Sequence, residues 1–494
     1  MVQGLRRYST AQLSAILRPC LAEPAPAARL DACAARLTAR LVADGYINSR
    51  VYPRAEPAPA GSLLVVEGRL VEVRVRSSDA RLQRRLQRLV LPLQGQVVNL
   101  PGLQRQLDQL ERLPEVGAIS TRLNRLGGDI SQASLLIEAD PAPRRLRGDI
   151  TLRNDGDSTS GQFRAQAALA GGDLLRPGDD LLLVGELNSD SQPELGYSQG
   201  SISYGLPLAE GVRLTTALAS SRTTPLDRQP QDPGRSDRQT QLLSELEATL
   251  WEGLAGRVGA FVGLSLNRNS PEGSGRGRIP GSIGTVQDRL SSAYLRSGFN
   301  LDASAGAADL QASVYALQGI TAFTAARDLR ALDQHNRNLA EARALAADLD
   351  IAWSLAPRWE LQLRAAGQLA LNPLIEPMGF SLGSDSGLRG LPGQVVSGDS
   401  GLLGYGELGW QLWRQGRREL QLVPVLGGGW VTSTRRGRTP SARVGAGGLL
   451  LRWLQGRHWL LEVGWASQFG KDPGGNTPNW LIDNGLYTKV GYSF

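Results

Sequence analysis

Few residues in this chain have the types and spacings that chemistry requires. His335 and His458 are the only histidines, and neither sits in a neighbourhood that would make a nucleophile–base–acid relay. Cys20 and Cys33 are the only thiols; their separation matches no zinc motif, and no histidine lies near them. Two buried free thiols, or a disulfide between neighbouring helices in an oxidising compartment, both suit them. The pair Asp179-Asp180 stands at a strand entrance, where turn residues are expected rather than acid–base partners. No glycine-rich loop precedes a helix as a phosphate cradle would. An enzyme is therefore not expected, and neither is a metal or another cofactor. One stretch stands apart: Phe380-Ser381-Leu382-Gly383-Ser384-Asp385-Ser386-Gly387-Leu388-Arg389-Gly390-Leu391, continuing through Pro392-Gly393 to Gly398-Asp399-Ser400-Gly401. Glycine at this density lets the backbone take positive φ and approach a wall closely. Arg389 is then the one side chain of its tripeptide able to make several charge-assisted hydrogen bonds. Leu-Arg-Gly also serves ordinary surface loops, so its meaning depends on the elements that carry it.

Those elements are strands. Hydrophobic residues make up 41% of the 494 positions but aromatics only 5%, with 59 Gly and 27 Pro. That composition suits many short strands joined by turns, with helices only near the N-terminus. The longest apolar runs, such as Leu181-Leu182-Leu183-Val184 and Leu449-Leu450-Leu451, are too short for a membrane helix. Membrane strands need only ~9–11 alternating residues and stay open as a possibility. The net charge of +7 comes almost wholly from arginine scattered along the chain, not from a basic stripe interleaved with aromatics, so nucleic acid is not an expected partner. Met1 to Arg7 leads into no apolar core of a secretory signal. A removed signal, a late start and a protein that is not exported would each account for this, and the rest of the chain argues against the third.

The N-terminal third reads as two small α+β modules. A short helix from Thr10 to Cys20 is followed, after Pro24 and Pro26, by a longer one to about Asp44 with Leu30, Ala34, Leu37 and Leu41 on one face. Gly45 stops it. Tyr46 to Tyr52 and Ser62 to Glu67 then read as strands. The pattern recurs with strand Leu70–Val75, helices Ala80–Leu89 and Leu100–Leu113, and strands Gly117–Leu126 and Ala133–Ala139, making a tandem βααββ repeat.

From Leu146 the period becomes two. Leu146, Gly148, Ile150 and Leu152 alternate with Arg147, Asp149, Thr151 and Arg153; Trp359, Leu361, Leu363 and Ala365 alternate with Glu360, Gln362 and Arg364. About sixteen such segments follow one another, the spacing of a large antiparallel barrel. An open sheet of that size would leave hazardous edges, and closure removes them. Arg153, Arg164, Arg296 and Arg364 are expected in the lumen, because arginine facing lipid at mid-membrane costs ~2–4 kcal/mol. The last segment places Val490, Tyr492 and Phe494 on one face.

These pieces resemble the two-partner-secretion transporters, the ShlB/FhaC/HecB (TpsB) family. Gly45-Tyr46-Ile47-Asn48-Ser49-Arg50-Val51-Tyr52-Pro53, Gly61-Ser62-Leu63 and Val66-Glu67-Gly68-Arg69-Leu70 look like the signature of its POTRA domains. Asn154 to Gly161, Pro177-Gly178-Asp179-Asp180-Leu181 and Tyr204-Gly205-Leu206-Pro207-Leu208 look like its first hairpins. Val490, Tyr492 and Phe494 resemble the C-terminal signal of bacterial outer-membrane barrels. The opening stretch falls between the eleventh and twelfth strands, the place of an inward-folded loop tipped with Val-Arg-Gly-Tyr/Phe. Leu388, Arg389, Gly390 and Leu391 match that tip, and Phe380 with Gly383 matches its lead-in. Ser384 replaces a usual glycine and Leu391 the usual aromatic. Family members offer the arginine an acid from a Phe-x-Asp-x-Gly on the thirteenth strand, and here Gly427 stands in that place.

The resemblance implies two periplasmic α+β POTRA domains (1–68 and 69–143) followed by a transmembrane antiparallel β-barrel of about sixteen strands (144–494), with an inward-folded loop at 371–402. It also implies a disulfide between Cys20 and Cys33, since paired cysteines occur on the first POTRA helices of many members. Relatives often begin with a plug helix and linker; with the first module starting within about ten residues, these are expected to be absent or trimmed. The implied function is translocation of an unfolded exoprotein across the bacterial outer membrane without nucleotide hydrolysis. The alternative is an assembly and insertion factor of the same superfamily, although those carry more POTRA modules. A passive porin would carry none. Expected partners are a secreted β-helical exoprotein of the TpsA type, outer-membrane lipids and the barrel assembly machinery, with the protein a monomer. Glu407 and Glu462, on polar strand faces, are the candidate partners of Arg389, with an Arg389–Glu407 charge exchange expected to recover part of what either single change loses.

Overall fold

The computed structural model describes residues 2–4, 8–23, 25–54, 62–111, 113, 115–126, 128–129, 131–142, 146–156, 160–190, 195–226, 236–272, 290–335, 337–391, 396–433, 441–469 and 484–494. Pro24, Gly61, Asp157 to Thr159 and Pro392-Gly393, singled out in the sequence, lie outside the described residues. Two compact units divide the chain: Met1–Pro143 with Glu252–Ala255, and Arg144–Trp251 with Gly256–Phe494.

The first unit holds two three-stranded sheets of the same topology. In one, β1 (Val2–Gln3) runs parallel to β3 (Ser62–Val66), which pairs antiparallel with β2 (Arg50–Arg54). Helices α1 (Thr10–Leu17) and α2 (Pro26–Ala43) separate β1 from β2. Ser9 and Gln12 cap α1 reciprocally, Ser9 Oγ accepting from the Gln12 amide at 3.3 Å and Gln12 Oε1 from the Ser9 amide at 2.8 Å. The same order recurs with β4 (Arg69–Arg76), α3 (Ala80–Val90), α4 (Leu100–Glu111), β5 (Val116–Arg125) and β6 (Gln132–Pro141), β4 being parallel and β5 antiparallel to β6. Each sheet buries one face under its helices, around Leu37, Leu41 and Val65 in the first and Leu86, Val90, Leu110 and Ile137 in the second. Backbone bonds from Leu100 N to Gly45 O at 2.9 Å and from Val98 N to Gly68 O at 2.8 Å join the two modules.

The first module opens with β1, whose two residues are too few to carry a visible alternation. Two expectations differ from the structure. Tyr46 to Ser49 is turn, not strand. Gly45 has φ +91°, and the bonds Tyr46 N to Leu41 O and Ser49 N to Tyr46 O fold the chain back before β2 starts. Helix is also not confined to this third, as α5 below demonstrates.

The second unit is a closed antiparallel barrel of sixteen strands. Its strands are β7 (Arg147–Arg153), β8 (Phe163–Gly172), β9 (Asp180–Ser189), β10 (Leu195–Ala209), β11 (Val212–Thr223), β12 (Ser236–Gly253), β13 (Gly256–Glu272), β14 (Leu290–Ala305), β15 (Ala308–Ile320), β16 (Arg343–Ala356) and β17 (Trp359–Ala370). They continue, after a short hairpin of β18 (Phe380–Leu382) and β19 (Val396–Gly398), with β20 (Ser400–Gln415), β21 (Arg418–Thr432), β22 (Ser441–Gln455), β23 (Trp459–Phe469) and β24 (Leu486–Ser493). Leu and Val side chains such as Leu152, Leu363, Leu426 and Val463 are exposed on the outer face, while Arg153 and Arg364 line a cavity in the lumen. Arg296 lies 4.9 Å from the ring centres of Phe261 and Tyr315, and its Nε lies 3.3 Å from Glu245. No described helix is long and apolar enough to cross a membrane.

Closure occurs where β24 meets β7: Asp149–Arg153 pair with Lys489–Ser493, Gly148 and Phe494 exchange backbone bonds at one end, and Asn154 N bonds Thr488 O at 3.4 Å at the other. The Asn154 side chain extends this seam, donating to Leu486 O at 2.7 Å and accepting from Thr488 N at 2.8 Å. Between β15 and β16 lies α5 (Ala326–Gln334), which the composition gave no reason to expect. Leu329 and Leu332 of this short helix pack against Leu339, Leu374, Ile375 and Met378, so tertiary burial stabilises what propensity alone would not.

Cys20, in a tight turn at Arg18–Ala22, and Cys33, in α2, are joined in a disulfide with their Cα atoms 5.2 Å apart inside the first module's core. Closing a loop of this length contributes roughly 3 kcal/mol in the chain-entropy account. Denatured, unreduced protein should therefore yield no reactive thiol, and Cys20→Ser with Cys33→Ser should lower the denaturation midpoint of the first module and leave heat-modifiable migration of the barrel unchanged. Two titratable thiols in the exported protein would contradict the pairing.

Candidate functional site

The segment between β17 and β20 does not stay outside the barrel. After a 3-10 turn at Glu376–Met378 it pairs with itself through β18 and β19, Ser381 opposite Ser397. Between those strands a second 3-10 turn, Ser384–Ser386, leads into the Leu-Arg-Gly tip. The hairpin is stapled to the inner wall by its own apolar residues. Leu382, Leu388 and Leu391 are fully buried against Leu403, Val431, Val444 and Ala446 of β20, β21 and β22, with Phe380 packed beside them. Leu391 thus supplies apolar contact where an aromatic residue is usual. Gly383 accepts the amides of Ser386 and Leu388 and donates its own N–H to Ser386 Oγ at 2.9 Å, which closes the turn before the tip. Gly390 has φ +86°, and a Cβ there would stand 2.8 Å from Ser467 N on β23. Only glycine allows the tip this close to the wall.

Arg389 projects from the tip into a ring of charges. Its Nε donates to Glu407 Oε1 at 2.7 Å and its Nη1 to Glu462 Oε2 at 2.8 Å. Arg452, on β22, completes the ring from the opposite side, with Nε 2.6 Å from Glu462 Oε1 and Nη2 2.6 Å from Glu407 Oε2. Each carboxylate therefore accepts from both guanidinium groups, and charge is balanced two against two. Tyr405 Oη takes a bond from Arg389 Nε at 3.1 Å and gives one to Glu407 Oε1 at 2.7 Å. Tyr487 of β24 receives Arg389 Nη1 through its hydroxyl. Glu407, Glu462 and Tyr487 are all buried.

The other arm of the tip reaches across the seam. Arg164, on β8 and buried, donates to Glu186 Oε1 from Nη2 at 2.6 Å, to Asp385 Oδ1 from Nη1 at 2.5 Å and to Ser384 Oγ at 3.2 Å. Ser384 Oγ passes a hydrogen bond to Asp155 O at 3.1 Å. Ser384 is thus an anchor between Arg164 and the Asp155 carbonyl. One short segment therefore binds β20, β22, β23 and β24 through Arg389 and the ring it joins, and β7 to β9 through Ser384 and Asp385.

Gly427 leaves no room for an acid of its own. A Cβ there would stand 2.6 Å from Tyr405 Cδ2 and 2.8 Å from Leu388 Cδ2. The tyrosine ring and the tip leucine fill the space an acid would need, and the counter-charge comes from the neighbouring strands instead. Glu407 and Glu462 were singled out in the sequence as alternatives; the structure places both on Arg389 at once. Arg452 and Tyr487 were not singled out, although each was legible as an inward residue between outward Leu451 and Trp453, and between Leu486 and Thr488. Val490, Tyr492 and Phe494 are away from this site. Val490 and Phe494 are exposed on the outer wall, and Tyr492 packs at a tilt against Trp459, ring centres 4.7 Å apart.

With this geometry in view, comparison with known proteins is decisive. Residues 132–449 match the haemolysin secretion/activation protein family ShlB/FhaC/HecB, and residues 1–68 match the ShlB-type POTRA domain. The chain belongs to this family. Its members are outer-membrane transporters, not enzymes, with POTRA domains in the periplasm. The outer membrane transporter CdiB of Dickeya dadantii (strain 3937) is 22% identical over 480 residues, 91% of this chain and 78% of that protein. CdiB of Escherichia coli O6:K15:H31 (strain 536 / UPEC) is 24% identical over 217 residues, covering 42% of this chain and only 36% of the relative. Solved structures of CdiB share the fold. That from Escherichia coli has a TM-score of 0.61 at 18% identity, covering 100% of this chain and 89% of the other; that from Acinetobacter baumannii has 0.58 at 16%, with 100% and 89% covered.

The ring changes what substitution should do. Exchanging Arg389 with Glu407 would set the new arginine beside Arg452 and the new glutamate beside Glu462, so the recovery expected from sequence should not appear. Arg389→Ala leaves two buried carboxylates to one guanidinium and should weaken loop docking by about 3–5 kcal/mol. Adding Glu407→Gln restores neutrality, so the double variant should be more resistant to loop proteolysis than Arg389→Ala alone. Gly427→Asp, which puts an acid on the wall beside the tip, should displace Leu388 and Tyr405 and expose the loop rather than tighten it. Proteolysis rates of the four variants in detergent measure each outcome.

Proposed function

We propose that this protein passes an unfolded secreted partner, of the β-helical exoprotein type, from its POTRA modules through the barrel to the cell surface, and that the arginine-tipped loop is the latch that holds the resting lumen. The charge ring carries this reading. A loop held inside a sixteen-strand barrel by balanced ion pairs can be released by exchanging those partners for water. A porin needs no such plug. The relatives named outer membrane transporter favour the same function, as does the presence of two small sheets with open edges.

Capture fits the edge strands. β5 has one neighbour, β6, and Ser120, Thr121 and Arg122 on it are exposed. An extended segment added there needs main-chain bonds more than particular side chains, which suits an unfolded passenger. Folding of the passenger outside would pull transport forward without nucleotide. The test is co-expression with a candidate exoprotein encoded beside this chain. Secretion into the medium should require the chain. Arg389→Ala should reduce it while heat-modifiable migration of the barrel persists, and a photo-crosslinker at Thr121 should capture the passenger. Equal export without the chain would exclude the proposal.

A further inference from the structure

The end of the barrel at which β7 begins is not uniform around its circumference. Trp353, Trp359, Trp410, Trp413 and Trp459 are exposed on the outer face near that end of β16 to β23. Of the ten tryptophans in the chain, the corresponding ends of β8 to β15 carry only Trp251. Trp359 and Trp410 are cross-strand partners, stacked with ring centres 5.3 Å apart and planes 2° from parallel. A bulge between Gln411 and Trp413 turns Trp413 outward beside Leu412.

Immediately beyond these rings, three consecutive turns present cations. Arg358 lies in the β16–β17 turn, Arg417 and Arg418 at the β20–β21 turn, and Arg457 in the β22–β23 turn, all exposed. The turns touch: Gln411 N bonds Arg358 O at 2.9 Å and Gly456 N bonds Arg417 O at 2.6 Å. The four arginines thus form one arc, and among the described residues none of the four pairs with a carboxylate. The nearby acids are spoken for or turned inward: Glu419 faces the lumen 3.9 Å from Arg414, and Glu360 lies on the inner face of β17. Across the barrel, by contrast, Arg213 is paired with Asp180.

We propose that this sector, from β16 to β23, is a docking surface for anionic glycerophospholipid of the periplasm-facing leaflet. Tryptophan places its apolar body among acyl chains and its N–H at the headgroups, the depth that an aromatic girdle marks. Guanidinium groups just outside that depth meet phosphate, to which they bind bidentately. Exposed arginines without internal partners select a headgroup of net negative charge over a zwitterion, whose own ammonium charge already offsets its phosphate. The same charge argues against a second copy of the chain on this face, since two-fold association would bring the unpaired arginines together.

The full chain reconstituted in phosphatidylcholine nanodiscs, with or without cardiolipin, tests this. Native mass spectrometry should find cardiolipin retained on the released barrel and phosphatidylcholine stripped. Brominated cardiolipin should quench tryptophan fluorescence more than brominated phosphatidylcholine at equal content. Arg417→Gln, Arg418→Gln and Arg457→Gln together should weaken cardiolipin retention on the order of a hundredfold, about fivefold per arginine, with heat-modifiable migration intact. Arg213→Gln should change retention little. Equal retention of both lipids by the unaltered protein, or no difference between it and the triple variant, would overturn the proposal. So would arginine-dependent dimers in phosphatidylcholine alone, which would assign the face to a second copy.

Discussion

A guanidinium carried into the interior of a barrel has to be neutralised there. Arg389 cannot lose its proton, and an unpaired charge in a desolvated site costs more than the packing of one loop returns. The inner wall answers with two carboxylates, a second arginine and two phenols. Neither carboxylate belongs to Arg389 alone, because Arg452 reaches both. This sharing makes the arrangement cooperative. Removing any one charge leaves the remaining three unbalanced, whereas removing an opposite pair does not.

The ring also decides where the loop can hold the barrel. The seam between β24 and β7 is short, and an edge so lightly paired is the place where a closed sheet would open first. The tip lies inside that seam and binds on both sides of it: Tyr487 and Glu462 on one flank, Arg164 and the Asp155 carbonyl on the other. Loop docking and closure of the barrel therefore depend on the same few contacts.

Loop and wall make sense only together. Gly427 has no side chain, and the space above it holds Tyr405 and Leu388. Tyr405 in turn bonds Glu407, one of the two counter-charges of Arg389. The Ser384 hydroxyl links Arg164 to the backbone just past β7. Leu391 is fully buried with Leu382 and Leu388.

Much of this was legible in the chain itself. About sixteen alternating segments in succession point to a closed barrel, since an open sheet of that size would leave unpaired edges, and the polar parity puts Glu407, Arg452, Glu462 and Tyr487 on the inner side. The glycine-rich stretch around Arg389 marks a segment that approaches a wall. What period and parity cannot carry is distance around the barrel. Arg389 meets Glu462 and Tyr487 across many residues of sequence, and Arg164 meets Asp385 from the opposite end of the barrel sequence. Those meetings follow from closure, which brings β24 against β7 and lets one loop touch both. The two-residue strand β1 and the short helix α5 were hidden for a related reason: each is stabilised by partners elsewhere in the chain, Leu63 and Leu64 for β1 and Leu374, Ile375 and Met378 for α5, and has too little local pattern of its own. Sequence determined which residues face inward; tertiary closure alone decided which of them meet.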